Sequence, residues 1–72
     1  MSKNVRNNLK KARRSMKLRQ SDIAAMLKIS IRQYQNLEWG IANGTPDQWS
    51  LLSKIFDTDW ELLRKRNRQK RN

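Results

Sequence analysis

Between Gln20 and Gly40 lies a cluster of side chains with hydrogen-bonding ends. Arg32, Gln33, Gln35 and Asn36 crowd together, with Ser30 and Ile31 just ahead of them. Guanidinium and amide groups are planar forks. They match the paired donors and acceptors that base edges show in the major groove of duplex DNA, and an apolar residue such as Ile31 can meet a thymine methyl. Gln20 opens an earlier apolar-periodic run, where its amide can turn to a phosphate oxygen beside a helix N-terminus; the plainer reading is an ordinary exposed polar residue. Other chemistry is poorly served. The chain has no cysteine and no histidine, so disulfides and thiolate metal sites are excluded, and the commonest general base and metal ligand are missing. The acids Asp22, Glu38, Asp47, Asp57, Asp59 and Glu61 are scattered, several at positions suited to helix caps. We expect no catalytic residue, no metal, no cofactor and no small-molecule ligand.

Two short helices must position the polar cluster. Gln20 to Leu27 places Ile23, Ala24 and Leu27 on one face, and Ile31 to Glu38 turns Tyr34 and Leu37 inward. Ser30 is the N-cap of the second and Gly40 its stop. The turn Lys28-Ile29-Ser30 is short enough to need a left-handed residue at Lys28, where glycine would be easier. Ile29 should plug the gap between the helices. The inward residues leave Ile31, Arg32, Gln33, Gln35 and Asn36 outside. Two helices, a tight turn and this outer face make a helix-turn-helix.

The flanking chain supplies the support. A first helix is expected from about Lys3 to Lys17, capped by Ser2 or Asn4, with Val5, Leu9, Ala12 and Met16 on its inner face. Arg6, Asn7, Asn8, Lys10, Lys11, Arg14 and Lys17 form its outer face, solvated and available to phosphates. Arg13 lies on the inner side and needs an acid, for which Glu38 is the candidate. Arg19 is a poor N-cap that Asp22 can partly compensate. Met26 points outward. After a loop through Asn43 and Gly44, Thr45-Pro46-Asp47-Gln48 reads as cap, proline at the first helical position and capping box. Trp49, Leu52, Ile55 and Phe56 are the buried face of that fourth helix. Thr58-Asp59-Trp60-Glu61 repeats the capping-box pattern and opens a fifth, with Leu62 and Leu63. Residues 64–72 contain no apolar side chain and read as a frayed end or a disordered basic tail.

Charge is the loudest global signal. Seventeen Lys and Arg against six acids give +11 in 72 residues, so the chain binds polyanions whatever else it does. Eight basic groups fall in residues 3–19 and six in residues 64–71. No apolar run approaches the ~18 residues of a membrane span, and no signal peptide is visible. The chain is read as cytoplasmic, with no membrane partner.

The order of elements resembles the phage-repressor and Cro-type (XRE-like) helix-turn-helix family over roughly residues 4–63. The specific parts are Leu18-x-Gln20-x-x-Ile23-Ala24-x-x-Leu27-x-Ile29-Ser30 and Tyr34-x-x-Leu37-Glu38-x-Gly40, against the family pattern L-T-Q-x-x-L-A-x-x-L-G-V-S and I-x-x-I/L-E-x-G. The resemblance implies an all-α, compact five-helix lambda-repressor-like domain over residues 1–63, with residues 64–72 as a basic extension to which nothing carries over. It implies that the third helix enters the major groove of double-stranded DNA. Gln20 then holds a phosphate, and Ile31, Arg32, Gln33 and Asn36 face bases or backbone. Ser30, Gln35, Lys28, Arg19 and Asn43 complete the expected DNA-binding set. Arg13 and Glu38 match the family's structural ion pair. A homodimer at least on DNA is implied, with Trp60 of the fifth helix as a possible dimer contact. Three departures stand out: Arg19 for the usual threonine, Lys28 for the turn glycine, and Ile31 where a polar reader is common.

A sequence-specific transcriptional regulator is the leading reading, with repression by occlusion as its simplest mechanism. Activation or DNA bending for recombination would use the same fold. A nonspecific nucleic-acid binder would explain the charge, but the outer face of the third helix is not a lysine stripe and the aromatics are placed as core. An interaction module, antitoxin-like, would use Trp60 and Met26.

Overall fold

Four successive helices end on a residue in the left-handed region, and these stops set the architecture. The computed structural model of the protein describes residues 5–66. Among them are α1 (Asn7–Ser15), α2 (Gln20–Leu27), α3 (Ile31–Glu38), α4 (Pro46–Phe56) and α5 (Trp60–Arg64). Lys17, Lys28, Gly40 and Asp57 have φ of 58°, 60°, 79° and 50°. After each, the chain turns back and its N–H bonds to a carbonyl of the last turn: Leu18 to Arg13, Ile29 to Ala24, Ile41 to Asn36 and Thr58 to Ser53. This closure satisfies carbonyls that the helix leaves open.

The starts are set by side chains. Ser30 Oγ accepts from Gln33 N at 3.0 Å while Gln33 Oε1 accepts from Ser30 N at 3.0 Å. Thr45 and Gln48 make the same reciprocal pair ahead of Pro46. At α2 only half of this motif operates, because an arginine side chain accepts nothing: Asp22 Oδ2 takes the Arg19 N–H at 2.8 Å.

Packing follows from the apolar faces. α2 lies on α3, and α5 packs against both α1 and α4. Leu9, Ile23, Ala24, Leu27, Tyr34, Leu37, Trp49, Leu52, Phe56 and Leu63 form one buried cluster, with Ala12, Leu18, Ile29, Ala42 and Ile55 against its edge. Ile29 thus sits between the motif helices as expected.

The first helix is shorter than its apolar spacing suggests. It starts at Asn7 with Arg6 as N-cap and ends at Ser15. The Ser2, Lys3 and Asn4 assignments lie outside the described residues. Met16, expected inside, is half exposed, because the chain turns at Met16-Lys17 before another helical turn can bring it round. The fifth helix also departs. Thr58 is not its cap: its hydroxyl donates back to Phe56 O at 2.9 Å, since Asp57 has already turned the chain, and Asp59 takes the cap position. Leu63 is buried while Leu62 faces outward.

Two substitutions test the turns. Lys28→Gly removes the steric cost of a left-handed lysine and is expected to stabilise the domain by about 1 kcal/mol. Gly44 has φ of +78°, and a Cβ there would lie 2.6 Å from Trp49 Nε1 and 2.9 Å from Leu37 Cδ2. Gly44→Ala is expected to cost about 2 kcal/mol or more. Chemical denaturation of the three proteins should rank them Lys28→Gly, wild type, Gly44→Ala.

Candidate nucleic-acid interface

The site is built on a buried carboxylate. Glu38, in the last turn of α3, is 1% exposed. Its oxygens accept from Arg13 Nε at 2.7 Å, Tyr34 Oη at 2.9 Å and Gln20 Nε2 at 3.0 Å. One acid therefore joins α1, α2 and α3. The hydrogen bond to Glu38 holds the Arg13 guanidinium above its ordinary pKa. Burial and the adjacent Glu38 push the Tyr34 hydroxyl well above its usual range, so it remains a donor.

Gln20 carries this network to the surface. Its Oε1 accepts from Gln35 Nε2 at 3.1 Å, which places the amides of α2 and α3 side by side. Both ends of the Gln20 amide are engaged within the protein, and one of its two Nε2 hydrogens is left for an outside acceptor. Gln35 likewise keeps its carbonyl and one donor.

The expected readers differ in how far they are committed. Ile31 and Arg32 are exposed. Among the described residues, Arg32 makes no hydrogen bond or ion pair. Gln33 is exposed too, but its carbonyl is the second half of the Ser30 cap. Ser30 Oγ is the first half and keeps only its own hydrogen to donate. Asn36 is half-buried, and its backbone carbonyl accepts from Ile41 and Ala42, so it sits where α3 turns into the loop. Lys28 and Arg19 are exposed at the C-terminal and N-terminal ends of α2. Asn43 is also exposed; its Oδ1 accepts from Arg66 Nη2 at 2.7 Å and its backbone oxygen from Trp49 Nε1. Trp60 stands apart from α3. It lines a groove of about 770 Å³ with Trp49, Ser53, Lys54 and Arg64, and the Arg64 guanidinium lies 5.8 Å from its ring centre.

Arg6 overturns its assignment to a solvated face. It is 1% exposed. Its Nε donates to Arg64 O at 2.8 Å, and its Nη1 donates to Leu37 O and to Ala42 O. Its guanidinium also lies 4.9 Å from the centre of the Trp49 ring. Burial, with Arg66 and Arg64 nearby, lowers its pKa to about 10, which leaves it charged at neutral pH. A signal was present in the sequence: Arg6, Leu9 and Arg13 fall three and then four apart, on one face.

These features define a DNA-binding helix-turn-helix protein: two packed helices, a left-handed turn, a capped second helix and an exposed polar edge on it. The helix-turn-helix family model matches residues 9–63, and the chain belongs to this family, that of the Cro/C1-type XRE proteins. No curated protein and no solved structure matches the chain.

Two measurements test the buried network. Tyr34 is the only tyrosine, so absorbance at the tyrosinate band reports it alone. The native protein should show no titration near the ordinary value of 10.0, whereas the denatured chain should. Glu38→Gln should bring the native value part of the way back, since burial, the larger cause, remains. Arg6→Ala leaves three carbonyls short of a partner and is expected to cost about 3 kcal/mol. Arg6→Lys should recover little of this, because one ammonium lacks the rigid fork.

Proposed function

We propose that this protein is a sequence-specific double-stranded DNA-binding transcriptional regulator that represses by occluding a promoter. It reads the major groove with α3 and works without catalysis or a small-molecule ligand, in the cytoplasm of a bacterium, as a chromosomal, phage or mobile-element product. Residues 1–63 form the DNA-binding domain and residues 64–72 a basic extension. It binds as a homodimer at least on DNA, with Trp60 at the contact.

One observation carries this reading. The N-terminal edge of α3 leaves Arg32 exposed with no partner among the described residues, beside an exposed Ile31 and the Nε2 of Gln33. A rigid, capped helix with an unengaged guanidinium suits bidentate reading of guanine, and Ile31 suits a thymine methyl. Gln20, with one donor left, suits a phosphate. The net charge of +11 favours a second reading, a nonspecific or architectural DNA binder.

Selection of random duplex by the purified protein at ~150 mM salt separates the two, since nonspecific binding is weak there. An inverted repeat with half-sites about one helical turn apart is the expected result; binding without enrichment would establish the nonspecific reading. On the selected site, Arg32→Ala should cost about 1–3 kcal/mol and relax the preference at one base pair. An equal loss on random DNA would make Arg32 a phosphate contact. Trp60→Ala should weaken dimer formation in sedimentation on DNA; a wild type that is monomeric there would remove the dimer.

A further inference from the structure

Two guanidinium groups, those of Arg6 and Arg66, meet the loop after α3 where α5 ends, and among the described residues no carboxylate joins them. The Arg13–Glu38 pair is the only salt bridge among the described residues, so Arg6, Arg64 and Arg66 have no acid. Arg6 fixes the place. It holds Arg64 O and Ala42 O at 2.8 Å each, so the chain leaves α5 one side chain away from the loop. Arg66 then reaches that loop: its Nη2 donates to Asn43 Oδ1 at 2.7 Å. An amide oxygen orients a guanidinium without cancelling its charge. The Nε of Arg66 is covered and has no partner among the described residues, so an outside acceptor is met through the Nη groups, one hydrogen of which is held by Asn43. Burial first, and then the nearby charges of Arg66 and Arg64, lower the pKa of Arg6. An arginine in such a setting usually meets an acid. No described residue supplies the counter-charge, and a phosphate, with several acceptor oxygens, suits guanidinium forks best.

We propose that Arg66, oriented by Asn43 and flanked by Arg64, is a phosphate-binding seat. Its ligand is either a phosphodiester of the DNA backbone next to α3 or a free phosphate. The DNA source rests on the function proposed above; the seat itself does not. It adds a contact at the α3–α4 loop, made by a residue outside the helix-turn-helix.

Wild type, Arg66→Ala and Lys65→Ala are compared by duplex titration at several salt concentrations. Their melting is then followed with inorganic phosphate and with chloride at equal ionic strength. Lys65→Ala removes the same charge from the neighbouring position, and Arg66→Gln keeps a donor for Asn43 if the alanine variant melts early. For a backbone contact, Arg66→Ala should bind specific and random duplex alike about three- to tenfold more weakly. The slope of log affinity against log salt should fall by about one, and Lys65→Ala should stay closer to wild type. For a free-phosphate site, phosphate should raise the melting temperature of the wild type above that in chloride and fail to do so for Arg66→Ala, even if no duplex binds. Equal behaviour of Arg66→Ala and wild type in both assays overturns the seat. So does an equal loss in Lys65→Ala, which would assign the effect to bulk charge.

Discussion

Arg6 gives its Nε hydrogen and both Nη1 hydrogens to backbone oxygens of Arg64, Leu37 and Ala42. Leu37 and Arg64 belong to the last turns of α3 and α5, where carbonyls lack an intrahelical partner and the helix dipole is negative. The counter-charge of this buried cation is therefore spread over two helix ends and a loop, with the face of the Trp49 ring beneath it. Its own backbone N–H donates to Glu38 O at 2.8 Å. The start of α1 and the ends of α3 and α5 are thus fixed by one residue. α5 has five residues, too few to be a stable helix alone, and depends on this anchor and on Leu63.

The second buried charge works differently. Glu38 has a direct cationic partner in Arg13, and its remaining capacity is taken by Tyr34 and Gln20. An acid this deep costs several kcal/mol in desolvation unless it is fully hydrogen-bonded, and side chains from three helices engage both of its oxygens. Its reach to the surface matters. Gln20 is held on Glu38 and in turn holds Gln35, so the angle between α2 and α3 and the placement of the outer amides are set by one carboxylate. Arg6 and Glu38 meet at the end of α3, where the backbone N–H of Arg6 donates to the backbone oxygen of Glu38. The two polar clusters thus share the segment that must be rigid for α3 to present a fixed edge.

Much of this was legible in the sequence. The bounds of α2 and α3 follow from apolar spacing, the Ser30 cap and Gly40, and the start of α4 follows from Thr45, Pro46 and Gln48. The Arg13–Glu38 pair follows from an arginine on an inward face. What escaped has physical reasons. Glycine advertises a left-handed stop; Lys17 and Asp57 do not, although both adopt it, and so apolar spacing alone makes α1 too long and puts the cap of α5 one residue too early. Arg6 was placed by the rule that charges face water, which fails when helix-end carbonyls offer a tertiary partner no local pattern reveals. The outward face marks Gln33 as a base reader, yet its spacing from Ser30 is also that of a capping box, which the structure forms.

That last point bears on how α3 could discriminate. Bidentate recognition of adenine needs the carbonyl and the amino group of one amide together. Gln33 has its carbonyl on Ser30 N, and releasing it would surrender part of a cap worth about 1 kcal/mol. Gln35 has spent a donor on Gln20, and Gln20 is held at both ends. Arg32 and Ile31 need no such release. On the function proposed here, the energetic order of the readers is therefore set before DNA arrives. Arg32 discriminates at no internal cost, Ile31 adds apolar contact, Gln33 gains a second hydrogen bond only by loosening the helix start, and Gln35 keeps its carbonyl and one donor while tied to Gln20. A binding surface whose polar groups are already half-used in folding gains rigidity and loses part of its hydrogen-bonding repertoire. On that function, sequence discrimination falls most heavily on Arg32, the α3 guanidinium that has no hydrogen bond or ion pair among the described residues.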